Sequence, residues 1–192
     1  MNNVRMYRGD YLHEFLRTKC SADFIAWNLF PDLKEICESF GLYRAVMQNI
    51  PYLDPSDPNV TVIVVGDGST PRTAATFACR TAWDCHSVDP ELSRKQHWDK
   101  IQRLTVYRSK IQDLKFLLPE HHKVLAIFPH SHVKVGESLK SFFCKELTVV
   151  ALPCCTPLYI TGRDPDIEFD DENMNTEKCH VKIYHNVRGN KP

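Results

Sequence analysis

The sequence predicts an α/β protein: a three-layer sandwich around a mostly parallel sheet, with an antiparallel C-terminal hairpin and an N-terminal helical extension. Three observations predict it. Residues 10–50 carry apolar positions at helical spacing. Between residues 60 and 152, five short apolar runs each end in turn-forming residues. Beyond residue 166 the pattern changes to apolar–polar alternation.

Leu33, Ile36, Phe40, Tyr43, Met47 and Ile50 recur every three or four residues and mark one face of a helix. Ser21 is placed to cap a shorter helix before it, and Pro31 suits a first turn. PYLDPSDPN, residues 51–59, is a strong breaker and divides the chain into an extension, 1–55, and a main domain, 56–192.

Val60–Val65 is a short, mainly apolar run rich in β-branched residues, as in a strand buried on both faces. Gly66-Asp67-Gly68 follows, and Thr70 with Pro71 is expected to cap and open a helix. Further strands are expected at 85–88, 104–107, 123–128 and 147–152, with a helix over 138–143. Strands alternating with helices imply right-handed βαβ units. Ile167, Phe169, Val181 and Ile183 mark two antiparallel strands, and DDENMNTEK between them reads as a solvated acidic loop.

Composition narrows the function. With 24 basic and 24 acidic residues the net charge is zero, which argues against a protein that coats nucleic acid. A modest basic cluster, Lys100, Arg103, Arg108, Lys110 and Lys115, suits either a phosphate contact or an ordinary solvated face. No apolar run approaches the roughly 18–20 residues that span a bilayer. MNNVRMYRGDYLHEF has no stretch of signal-peptide length, so cytosol or nucleus is the expected compartment, with no membrane partner. The eight cysteines are accordingly expected to be free thiols, mostly buried.

In open parallel sheets ligands sit beyond the carboxyl ends of the strands, near the switch in strand order. Gly66 and Gly68 permit a tight turn and close ligand approach, and the helix after them would aim its amides at an anion. Asp89 follows the second strand, where an acid can accept hydrogen bonds from ribose hydroxyls. The plain alternative is a structural turn and a solvated aspartate. Position 71 is Pro71 where a dinucleotide fingerprint needs glycine, and no GK[ST] occurs, so classical NAD and ATP loops are excluded. His130 and His132 follow the fourth strand; each is either a proton acceptor at the cleft or a polar rim residue. Cys154 and Cys155 follow the fifth as nucleophile, substrate contact or small buried residues. No familiar zinc spacing occurs, so no metal is expected.

VIVVGDGSTPRTAA (62–75), HSVDP (86–90), RSKIQDL (108–114), VLAIFPHSH (124–132) and VVALPCC (149–155) together resemble the Rossmann-like class I S-adenosylmethionine-dependent methyltransferases. The resemblance spans roughly residues 55–188, and the final strand pair is similar to that family's hairpin. It implies S-adenosylmethionine as cofactor, with Gly66 and Gly68 along the methionine moiety, Asp89 on the ribose and Asp113 by the adenine amine. Asp67, between the glycines, and Pro129, after the fourth strand, are placed with the cofactor site. His130 and His132 are the candidate catalytic residues by their position at that strand's end, since no catalytic motif of the family transfers to this chain. Val64 stands where the family carries an acid, and Thr70 replaces its third glycine.

Overall fold

A computed structural model describes residues 10–94, 97–154, 160 and 162–191. Three helices precede the sheet: α1 (Tyr11–Leu16), α2 (Ser21–Ala26) and α3 (Leu33–Asn49). Asp10 caps α1, and Asp32 caps α3 by accepting from the Glu35 amide, so each start has a local cause. Next come β1 (Val60–Val65), α4 (Arg72–Arg80), β2 (Asp84–Val88), β3 (Leu104–Tyr107) and β4 (Phe116–Leu117). The chain continues through β5 (Lys123–Pro129), α5 (Val135–Ser138), β6 (Phe142–Phe143), β7 (Glu146–Leu152), β8 (Ile167–Asp170) and β9 (His180–Arg188).

Seven strands form one sheet in the order β3-β2-β1-β5-β7-β9-β8. The first five pair in parallel; β9 runs antiparallel to both β7 and β8. From β1 the chain builds outward through β2 and β3, then returns to β5 on the other side, so the order reverses between β1 and β5.

The two-residue period of the strands sorts the core. Val60, Val62, Val64, Leu125, Ile127, Val150 and Leu152 pack with Phe40, Val46, Ala74 and Phe77 from α3 and α4. Ile63, Val65, Ala126, Phe128, Val149 and Ala151 face the opposite layer with Ile111, Phe116, Val135 and Phe142.

That second layer differs from expectation. The helix expected over 138–143 is instead α5, a 3-10 turn at Leu139–Ser141 and strand β6. Phe142 stacks on Phe116, and β6 pairs with β4 as a separate two-stranded sheet, which wins over helical continuation. Only 3-10 turns, not full helices, stand among the described residues between β2 and β3 and between β3 and β4. The acidic loop is not wholly solvated. Asp171 is buried and accepts from the Tyr11 hydroxyl, and Met174 is buried against α3 at Gly41.

The thiol expectation is also corrected. Cys20, at the start of α2, is disulfide-bonded to Cys79 near the end of α4. The two residues meet because the N-terminal helices pack over α4, a juxtaposition without a sequence signal. Cys37, Cys85, Cys144 and Cys179 are free thiols. Burial pushes the Cys144 thiol up to about 11, so it stays protonated near neutrality. Cys155 lies outside the described residues. No helix among the described residues is long and apolar enough to cross a membrane.

Candidate functional site

A cleft of about 490 Å³ opens where the strand order reverses, beyond the carboxyl ends of β1, β2 and β5. Gly66, Gly68, Asp89, Pro129, His130 and His132 all line it, although the sequence spreads them over 67 positions.

Gly66 and Gly68 adopt φ of +83° and +82°, a region that penalises any side chain. A Cβ on Gly66 would stand 2.5 Å from Ser131 Oγ, and one on Gly68 2.8 Å from an Arg72 guanidinium nitrogen. Glycine is therefore required at both positions by the backbone conformation and by the close approach of Ser131 and Arg72. The turn's shape is fixed from β2: the Gly66 amide donates to Val88 O and the Gly68 amide to Asp89 Oδ2, both at 2.8 Å. Asp89 Oδ1 accepts from the Glu91 amide, also at 2.8 Å.

Two expected cofactor residues lie elsewhere. Asp67 is buried outside the cleft lining, and its carboxylate accepts from the amides of Thr73 and Ala74 and from Ser87 Oγ. It caps α4 in place of Thr70, so the helix starts at Arg72 and these two amides are already engaged rather than held for an anion. Burial raises the Asp67 pKa; the Arg72 charge and the three donors oppose that rise. Asp113 is exposed, and its neighbours Ile111 and Gln112 line the cleft instead.

His130 has φ of +48° and sits directly after β5. Its Nε2 lies 2.8 Å from Glu38 Oε1 of α3. The approach is close but off-line: neither atom makes an aligned hydrogen bond, and both ring nitrogens are shielded from solvent. Cys154 Sγ donates to the His130 carbonyl at 3.5 Å, which spends the thiol on the loop.

Sequence reasoning missed Arg72, which lines the cleft and pairs with Glu35 at 2.9 Å. Burial raises the Glu35 pKa, with Arg72 pulling against it. The available signal was Arg72 in the first helical position after the glycine loop. Lys110, read only as part of a basic cluster, lines the cleft too. Of the rest of that cluster, Arg103 donates to Ala78 O and Arg108 to Ser93 O.

A larger cavity, about 620 Å³, lies against α1, α3 and the end of α4. Its nearly buried Glu14 is shared by the guanidiniums of Arg44 (2.7 Å) and Arg80 (2.6 Å). That cavity lies away from the strand ends, so the cleft is the better functional candidate.

No protein-family model matches the chain. No curated protein matches its sequence. Solved structures do match the fold. A glutamate-to-glutamine mutant of MtNAS in complex with S-adenosylmethionine aligns with TM-score 0.53 and 11% identity, over 92% of this chain and 70% of that one. A second structure of that mutant gives 0.52 and 13%, over 92% and 69%. Haemonchus contortus phosphoethanolamine N-methyltransferase 1, with phosphoethanolamine and S-adenosylhomocysteine, gives 0.49 and 8%, over 93% and 48%. The chain shares a Rossmann-like fold with MtNAS.

Proposed function

We propose that the chain is an S-adenosylmethionine-dependent methyltransferase whose cofactor site is the cleft between the glycine turn and Asp89. The observation that carries this is the pair of left-handed glycines at the strand-order reversal, Gly66 tied to Val88 O and Gly68 to Asp89. Gly66, Gly68 and Asp89 together line the cleft, where a tight glycine turn suits close approach of a ligand. MtNAS, of like fold, is crystallised with S-adenosylmethionine.

Bound there, S-adenosylmethionine would supply an electrophilic methyl on a sulfonium. The chain's own groups do the rest. Asp89 retains acceptor capacity beyond its two amide bonds and would take hydroxyl donors. Arg72 offers guanidinium donors beside Gly68. His130 is the candidate proton acceptor for the methyl acceptor, with His132 at the exposed rim. Holding two reactants in line removes much of the entropic barrier to transfer.

A second function, a non-catalytic binding or scaffold protein, is favoured by Val64 in place of the family's acid and by the shielded His130 nitrogens. Calorimetry with S-adenosylmethionine and S-adenosylhomocysteine separates the two. One-to-one binding in the micromolar range supports the methyltransferase, and no heat at millimolar ligand supports the scaffold.

A further inference from the structure

Helix α3 presents two acids three residues apart, Glu35 and Glu38, toward the back of the cleft. Each meets a different cleft residue: Glu35 lies 2.9 Å from Arg72, and Glu38 lies 2.8 Å from His130. Neither acid lines the cleft itself. Residues at i and i+3 share a helix face, so one surface of α3 backs both Arg72 and His130.

A second observation converges on the same place. Few buried side-chain polar atoms among the described residues lack an aligned hydrogen bond, and Glu35 Oε2, Glu38 Oε1, both His130 ring nitrogens and Ser131 Oγ are among them. Buried polar groups are almost always satisfied, so such a concentration marks a functional place rather than a packing remainder. Lys34 Nζ also approaches Glu38, at 3.5 Å, from the exposed side of the helix.

We infer that Glu38 is a positioning residue for His130: it draws the ring proton to Nε2 and so fixes the tautomer and the orientation of the ring at the cleft wall. This rests on the methyltransferase function proposed above. The tautomer of a histidine is set by the partner of its other nitrogen.

Long-range proton–nitrogen spectra of the 15N-labelled protein read the His130 tautomer directly and need no acceptor. His130→Gln assigns the resonance. The wild type should show the Nε2–H form. Glu38→Ala should shift His130 to a mixture of tautomers, and Glu38→Gln, whose amide oxygen can still accept, should restore the Nε2–H form. Should Glu38→Ala fail to fold, Glu38→Met carries the test, being close in size and unable to take Glu38's role as acceptor. A His130 spectrum unchanged in Glu38→Ala or Glu38→Met, or a wild type protonated at Nδ1 alone, overturns the inference. Calorimetry with S-adenosylhomocysteine on the same samples keeps the two ideas apart. Affinity within about threefold of wild type in the Glu38 variants is expected. Loss of binding in the wild type itself would sink the methyltransferase function instead.

Discussion

The backbone amide of Gly68 donates to Asp89 Oδ2 across 2.8 Å, so the glycine turn after β1 and the end of β2 form one unit. Asp89 thus has two tasks: it shapes the turn and faces the cleft. Asp89→Ala should weaken S-adenosylmethionine binding about 10- to 150-fold, the cost of losing hydrogen bonds to a charged group. Calorimetry measures it; unchanged affinity would remove Asp89 from the site.

Gly66 is held at φ +83° with Ser131 directly above it. Gly66→Ala should destabilise the fold by about 1–3 kcal/mol, from left-handed strain and from crowding of Ser131. Ser131→Gly added to that chain should recover only part, because it relieves the contact and not the backbone. Urea midpoints at constant slope report both effects.

Cys20 and Cys79 close a loop across a sequence separation of 59 residues. Reduction should lower stability by about 2–4 kcal/mol through the freedom regained by the unfolded chain. Thiol titration under denaturing, non-reducing conditions should find two fewer free thiols than the eight cysteines in the sequence. A full count of eight would contradict the pairing.

His185 on β9 meets the Tyr52 hydroxyl at 3.1 Å, and burial lowers its pKa despite the nearby Asp166 carboxylate. The folded state therefore binds this proton less readily than the unfolded chain. The contribution to stability is present above the unfolded value of about 6.5 and is lost as the pH falls through the folded value. Thermal midpoints of the wild type and His185→Gln should draw together as the pH falls below 6.5. A constant gap from pH 7.5 to 5 would show that His185 does not titrate in this way.

The sheet was legible in the sequence because burial on two faces favours apolar residues along β1, where Thr61 is the one polar position, and because Ile167, Phe169, Val181 and Ile183 alternate. Strand ends were legible for the same reason, and with them Gly66, Gly68, Asp89 and His130. What covers the sheet was harder to read. Phe142 and Phe143 belong to β6 through pairing with Phe116 and Leu117, a contact invisible to local periodicity. Asp67 looks like a ligand residue in sequence, yet the amides of Thr73 and Ala74 claim it in three dimensions. Glu35 and Glu38 read as the polar side of a helix. Only the packing of α3 over the cleft turns them toward Arg72 and His130.

The central claim is that S-adenosylmethionine occupies the cleft at the strand-order reversal. A titration of 15N-labelled protein with S-adenosylhomocysteine, followed by amide chemical shifts, tests it most directly. The largest changes should fall on Gly66, Gly68, Asp89, Glu91, Ile111 and Gln112, the residues that line the cleft from β1, β2 and the turn after β3. Changes centred instead on His13, Glu14, Arg44 and Arg80, around the larger cavity, or no change at millimolar ligand, would contradict the account.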